Sequence, residues 1–413
     1  MTNMIHRMLS VTASVLLSAS SAAGAIPAQP ASDPGQIPSD AAPTQTEVRA
    51  QARAMIDRAI GYLRTQQSPQ TGGWRENPDG PSYPAITGLI VNGMLLDPRI
   101  DVTDPTVRAG VDNILSYAKP DGGIHDGVLP TYNTAICLSA LGGLPIPEAA
   151  DAIGRGQSYL RTLQYHEQNT GGDEAPNFNE PVPTDHPFYG GVGYGRHGRP
   201  DLSNLGFFLQ ALHDTGASTE DPAIKRAMVF LERVQMLGET NDMGYADGSE
   251  QGGFIYATVP NLESVDGRAG QSQAGTIEEV SSTGATIVRL RAYGSMTYVG
   301  FKSLVFADLA PGDPRLDAAW AWINANYTMD ENPGMGDDGR YYYYSAMGRA
   351  LDAFGQGTVG GRDWRADLVG ALGELQEPDG SFRVLDDRWM ESDPVLITAY
   401  ALIALQHAAG NTN

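Results

Sequence analysis

Four residues of this 413-residue chain pair a chemically able side chain with a position that needs explaining: Asp201, Asp393, Tyr298 and Lys302. Asp201 and Asp393 each stand just before an apolar, helix-like stretch, Leu202 onward and Pro394 onward. A carboxylate there accepts the free N–H groups of a first helical turn, and Asp393-Pro394 reads as an N-cap with proline at the first helical position. Brought together in a buried setting, the two carboxylates would acquire raised pKa values and be able to act as acid and base. Lys302 sits inside the apolar run 297–304, where an ammonium needs a carboxylate or a ligand beside it. An ion pair with a neighbouring carboxylate is the simpler expectation. Tyr298 precedes it by four residues, one helical turn away.

A second set of residues is suited to holding a ligand. Tyr132, Asn133, Asn204, Tyr343, Tyr344, Trp389 and Glu391 all fall at or just before the starts of apolar helical stretches. Tyr341 to Tyr344 are consecutive, and neighbours on a helix point about 100° apart, so one or two of them can face a common cavity while the others pack. Metal chemistry finds little support. His166, His186 and His197 lack the spacing that puts two ligands on one helix face, and Cys137 is the only cysteine. Cys137 lies within an apolar register and is expected to be a buried small hydrophobe, with no disulfide partner in the chain. No metal and no cofactor is expected.

The elements that carry these residues are repeated. The stretch 132–141 (YNTAICLSAL) has relatives starting at Thr87, Asn204, Thr297, Tyr344 and Thr398. Between them lie longer amphipathic stretches, at 48–67, 107–118, 149–164, 222–236, 314–327 and 364–375, joined to the short ones by turns rich in glycine. Thr87 and Thr134 are 47 residues apart, as are Thr297 and Tyr344, which sets the basic unit at one helix pair. The third and fourth units are longer, with insertions at about 165–198 and 238–292. The short helices are rich in Ala, Gly, Ser and Leu and suit an inner ring, while the longer ones carry charge on one face and suit an outer one. Six pairs can close on themselves, which removes the exposed ends of an open array.

The N-terminus predicts export. His6 and Arg7 precede an apolar run to Leu17, followed by small residues ending in Ala23-Gly24-Ala25, the pattern of a secretory signal peptide over 1–25. Residues 26–47, rich in Pro, Ala, Ser and Gln, read as a disordered linker to a domain spanning 48–413. Beyond the signal segment no run of 18 apolar residues occurs, so no membrane span is expected. With a formal net charge of −22, the surface repels nucleic acid and anionic lipid headgroups.

At the turn Gln67 to Trp74 (QSPQTGGW) and at helices such as 398–405 (TAYALIAL), the chain resembles the terpenoid cyclase and protein prenyltransferase superfamily. Segments 199–204, 293–298, 330–336 and 387–394 narrow this to a resemblance to secreted bacterial prenyltransferase/squalene-oxidase-repeat proteins. The resemblance covers about 48–408 and implies an all-α fold, an α/α toroid or (α/α)6 barrel, with a central cavity lined by inner-helix starts. It does not carry over an activity. The Asp-x-Asp-Asp acid of squalene–hopene cyclases is absent, since Asp337-Asp338 and Asp386-Asp387 are the only adjacent aspartates. The zinc ligands of prenyltransferase β-subunits and the Cys-Gly-Glu-Gln of thioester domains are absent too. The expectation is therefore a binding protein for a lipid, isoprenoid, glycan or partner chain, with terpenoid or carbohydrate-active chemistry as the alternative.

Overall fold

The computed structural model describes residues 43–413 apart from 169–180, 197, 262–268, 281–283, 311 and 411–413. The signal-peptide segment, most of the expected linker and His197 lie outside these residues. The chain from Pro43 onward is one unit. Its first helix, α1 (Gln45–Gln66), begins before the apolar register does. Thr44 and Glu47 form a reciprocal capping box that satisfies first-turn N–H groups and draws polar residues into the helix.

Two kinds of helix alternate. The buried kind comprises α2 (Pro84–Leu95), α4 (Pro130–Leu141), α6 (Leu202–Asp214), α8 (Gly294–Phe306), α10 (Arg340–Phe354) and α12 (Pro394–Ala409), and contrary to expectation these are not consistently the shorter helices. These are buried almost all round, as their composition demands. The other kind, α1 with α3 (Pro105–Ser116), α5 (Pro147–Thr162), α7 (Pro222–Val234), α9 (Pro314–Asn326) and α11 (Trp364–Leu375), buries one face only. Contacts among the buried helices run in cyclic order, α2 to α4, α6, α8, α10, α12 and back to α2. The half-exposed helices lie against them: α3 on α2, α5 on α4, α7 on α6, α9 on α8, and both α11 and α1 on α12.

A recurring glutamine explains how one unit locks onto the next. The Gln67 amide donates to the carbonyls of Gly72, in its own turn, and Thr106, in the first turn of α3 (2.8 and 2.9 Å). Gln164 does the same to Gly190 and Ala223, and Gln235 to Gly252 and Arg315. At the last unit Gln376 reaches Gly380 and, across the chain ends, Met55 of α1 (2.9 Å). Gly72 and Gly380 have φ of +74° and +93°, and a Cβ on either would strike the backbone carbonyl of the helix it abuts.

The fold differs from the all-α expectation in one respect. The insertion between α7 and α8 carries an antiparallel hairpin, β1 (Thr276–Val280) with β2 (Thr286–Leu290), and a second pair, β3 (Thr358–Val359) with β4 (Arg362–Asp363), leads into α11. The domain is mostly α. The hairpin was hidden because its β-branched residues (Ile277, Val280, Ile287 and Val288) are interleaved with Glu278, Glu279 and Arg289 in a segment dominated by polar residues. No helix among the described residues is long and apolar enough to cross a membrane. Cys137 is buried within α4, and burial pushes its thiol well above the usual range.

Candidate functional site

All six buried helices contribute to one cavity of about 250 Å³. Their first two turns supply Ala85, Ile86, Leu89, Tyr132, Asn133, Ile136, Ser203, Ser295, Met296, Tyr342, Leu396 and Tyr400. Loops before them add Tyr83, Leu129, Tyr194, Tyr256, Tyr293, Trp389, Met390 and Glu391. The lining is aliphatic and aromatic, and its hydroxyls largely answer one another. Tyr132 Oη bonds Ser203 Oγ, which lies 3.1 Å from Tyr342 Oη. Tyr194 and Tyr256 hydroxyls are 2.8 Å apart. The rings interlock as well: Tyr132 stacks on Tyr194 at 5.5 Å between centroids and tilts against Phe207 at 5.1 Å, and Tyr342 meets Tyr400 edge-on at 5.8 Å. Burial raises the Tyr132 hydroxyl well above its ordinary pKa, so these tyrosines are neutral donors and acceptors.

The mouth is apolar and strained. Leu129, Tyr194, Trp389 and Met390 are the exposed large hydrophobics of the lining, with Trp389 47% exposed. Leu129, Trp389 and Met390 also take left-handed backbone angles (φ +43°, +54° and +68°), three of the five non-glycine residues among the described residues that do so. Such conformations cost on the order of 1–3 kcal/mol each and persist only where surroundings impose them. Here Arg388 helps to impose them. It pairs with Asp338 at 2.5 Å and stacks its guanidinium over Trp389 at 4.3 Å.

Of the residues singled out from the sequence, Tyr132, Asn133, Trp389 and Glu391 lie together in this lining. Glu391 is the one carboxylate among them. Its two oxygens accept the N–H groups of Tyr341 and Tyr342 (3.2 and 2.9 Å), so it caps α10 from a distant loop. Burial raises its pKa to about 7 against the opposing pull of those N–H donors. Asn133 is committed to structure: it accepts from Ala85 N–H and donates to the Val128 carbonyl, both at 2.9 Å.

The other candidates sit elsewhere. Asp201 caps α6, accepting Asn204 N–H at 2.9 Å and the Asn204 side-chain amide at 2.8 Å. It is fully buried, and that burial raises it to about 6 despite these bonds. Asp393 caps α12 through Val395 N–H and pairs with Arg75 at 2.8 Å. The two carboxylates thus have separate partners. Tyr343 and Tyr344 point away from the cavity, their hydroxyls donating to the Thr328 and Met329 carbonyls (2.8 and 2.6 Å). Tyr298 is buried edge-on against Tyr343 at 5.6 Å. Lys302 is not paired with a rim carboxylate; it lines a second, smaller void of about 20 Å³.

Of the four consecutive tyrosines, Tyr342 is the cavity residue, one step along the helix from the pair named above. Tyr194 and Tyr256 were missed because they belong to insertions without periodicity, Tyr293 because it reads only as part of the segment 293–298 that carries the resemblance, and Tyr400 because it reads as one apolar helix position among many. Aromatic residues within the insertions were the available signal. Among the described residues no group of three His, Cys, Asp or Glu side chains could hold a metal ion.

No family model matches the chain, and no curated protein matches it. Among solved structures it is similar to a protein from Actinoplanes, 14% identical over 87% of this chain and 99% of that one, with a TM-score of 0.47. It is similar to type II terpene cyclase MstE from Scytonema, 14% identical over 88% and 99%, TM-score 0.34. It is also similar to a glycosidase, 12% identical over 88% and 98%, TM-score 0.46. These likenesses are distant, and the function rests on the geometry of the site itself.

Proposed function

We propose that this chain is an exported (α/α)6 toroid that binds a lipid or isoprenoid in its central cavity. The supporting observation is the cavity: it is about 250 Å³, fed by all six buried helices, and lined by aliphatic and aromatic side chains. Five of its hydroxyls, those of Tyr132, Ser203, Tyr342, Tyr194 and Tyr256, bond one another, which suits an apolar occupant that asks for few hydrogen bonds. A glycan would need many more free donors and acceptors than this lining offers. The exposed apolar mouth gives such a ligand a route in from a lipid phase or carrier. Binding, rather than acid–base chemistry, fits Glu391, whose two oxygens are both engaged by α10. The signal-like segment 1–25 is what supports export.

The test is mass spectrometry of lipids co-purifying with the protein after periplasmic expression, beside a mock preparation and an Ile136→Trp variant. Ile136 is buried in the lining, and an indole there would fill the space. Lipid enriched at least tenfold over mock, and lost on the substitution, is the expected result. Recovery equal to mock from the wild-type protein would sink the reading.

A further inference from the structure

Below the aromatic cavity lies the smaller void, and the two share Leu89, Tyr342 and Tyr400 in their linings. The lower void is different in kind. Lys302 of α8 and Arg349 of α10 both face it. Lys302 is only 5% exposed; its ammonium bonds the Gln210 side-chain carbonyl and lies 5.4 Å from the Phe306 ring. Arg349 donates to Asn92 Oδ1 at 3.0 Å. Neither cation has a carboxylate within ion-pair distance among the described residues.

The carboxylate that acts on both cations is Asp214, which lowers the cost of each. Its Oδ1 is already engaged by the Gln210 amide at 2.7 Å and by His213 Nδ1 at 3.2 Å. One carboxylate therefore stands against two cations. Scarcity is not the cause, because the chain has 49 acidic residues to 27 Lys and Arg. Several other arginines are matched by carboxylates at contact: Arg315 with Asp313 and Glu232, Arg161 with Asp221, Arg365 with Asp352. Leaving a buried ammonium beside an unpaired guanidinium is costly unless something completes them.

We propose that the lower void is a carboxylate site: the ligand's apolar chain fills the upper cavity and its terminal carboxylate sits between Lys302 and Arg349. This rests on the lipid-binding reading and narrows it to long-chain carboxylic acids. Size sets the class. A void of about 20 Å³ takes one or two oxygen-sized atoms, room for the two oxygens of a carboxylate and too little for a diphosphate. Arginine and lysine together offer a fork and a point charge to its two oxygens.

The probes are dodecanoate, dodecanol and acetate, titrated by calorimetry at pH 6 into the mature wild-type protein and into Lys302→Met and Arg349→Met variants. Far-UV circular dichroism checks that each variant is folded; Lys302→Gln and Arg349→Gln stand in for either that is not. We expect dodecanoate to bind wild type at least tenfold tighter than dodecanol, and the ratio to fall to about one in the variants while dodecanol affinity stays within threefold. Equal wild-type affinities for acid and alcohol would overturn the carboxylate site and leave the lipid cavity standing. A preference that survives both substitutions would also overturn it, as would acetate binding as tightly as dodecanoate. Failure of both long-chain probes to bind would overturn the cavity reading along with it.

Discussion

The mouth half and the far half of the six buried helices solve the same packing problem with opposite chemistry. At the mouth, the hydroxyls of Tyr132, Ser203 and Tyr342 and those of Tyr194 and Tyr256 bond each other. One turn or more below, Lys302 and Arg349 carry charge that the surrounding protein does not neutralise at contact. The first half specifies shape; the second specifies charge. Their proximity through Tyr342 and Tyr400 is what makes an amphiphile, rather than a plain hydrocarbon, the better-matched occupant.

The sharpest way to test this contrast is to remove the charge below. Burial, with Arg349 beside it, depresses Lys302 to about 7, while Asp214 pulls the other way. The folded-state value lies below the ordinary value near 10.5, so the unfolded chain binds the extra proton between those limits. The penalty is then full below pH 7 and lifts as pH rises towards 10.5. Lys302→Met should raise unfolding free energy by about 2–4 kcal/mol at pH 6, with the gain shrinking by pH 10. Urea titrations at the two pH values measure this, and a loss of stability at pH 6 would mean that Lys302 is well paired.

At the mouth, the corresponding group is Glu391. Its folded pKa is raised to about 7 from an ordinary value of 4.5, so the folded state holds a proton that the unfolded state releases. Stability from this group is greatest at and below pH 4.5 and falls as pH rises to 7. Wild type should lose up to about 3 kcal/mol relative to Glu391→Gln across that window. The difference between the two urea curves isolates Glu391 from Asp201, which is shifted in the same sense. Parallel curves would place Glu391 in contact with water or a cation.

The smallest effect belongs to the exposed edge. Arg75 is 43% exposed and pairs with Asp393, whose capping bond to Val395 does not depend on it. Arg75→Ala should cost less than about 1 kcal/mol in thermal unfolding. A larger loss would make this ion pair part of what holds α12 in place.

The repeat was legible because periodicity survives in the sequence: six apolar helix signals, and glutamine–glycine turns whose spacing fixes how each unit grips the next. The capping roles of Asp201 and Asp393 were legible for a similar local reason, since an aspartate immediately before an apolar helix start acts on N–H groups two or three residues away. The cavity was legible only as a location. Tyr132, Asn133, Trp389 and Glu391 were named from their places before helix starts, whereas Tyr342 was separated from Tyr343 and Tyr344 by a 100° step that no spacing rule resolves.

Helix type and order are legible in the sequence, because they depend on residues within a few positions of one another. Tertiary structure alone decided which carboxylate is buried in the cavity, which tyrosines share hydroxyls, and which cations lack partners. Those outcomes arise between residues as far apart as Tyr132 and Ser203, Lys302 and Gln210, or Arg349 and Asn92. Burial and pairing are properties of the assembled fold, and they turn an ordinary helical lysine into a candidate ligand contact.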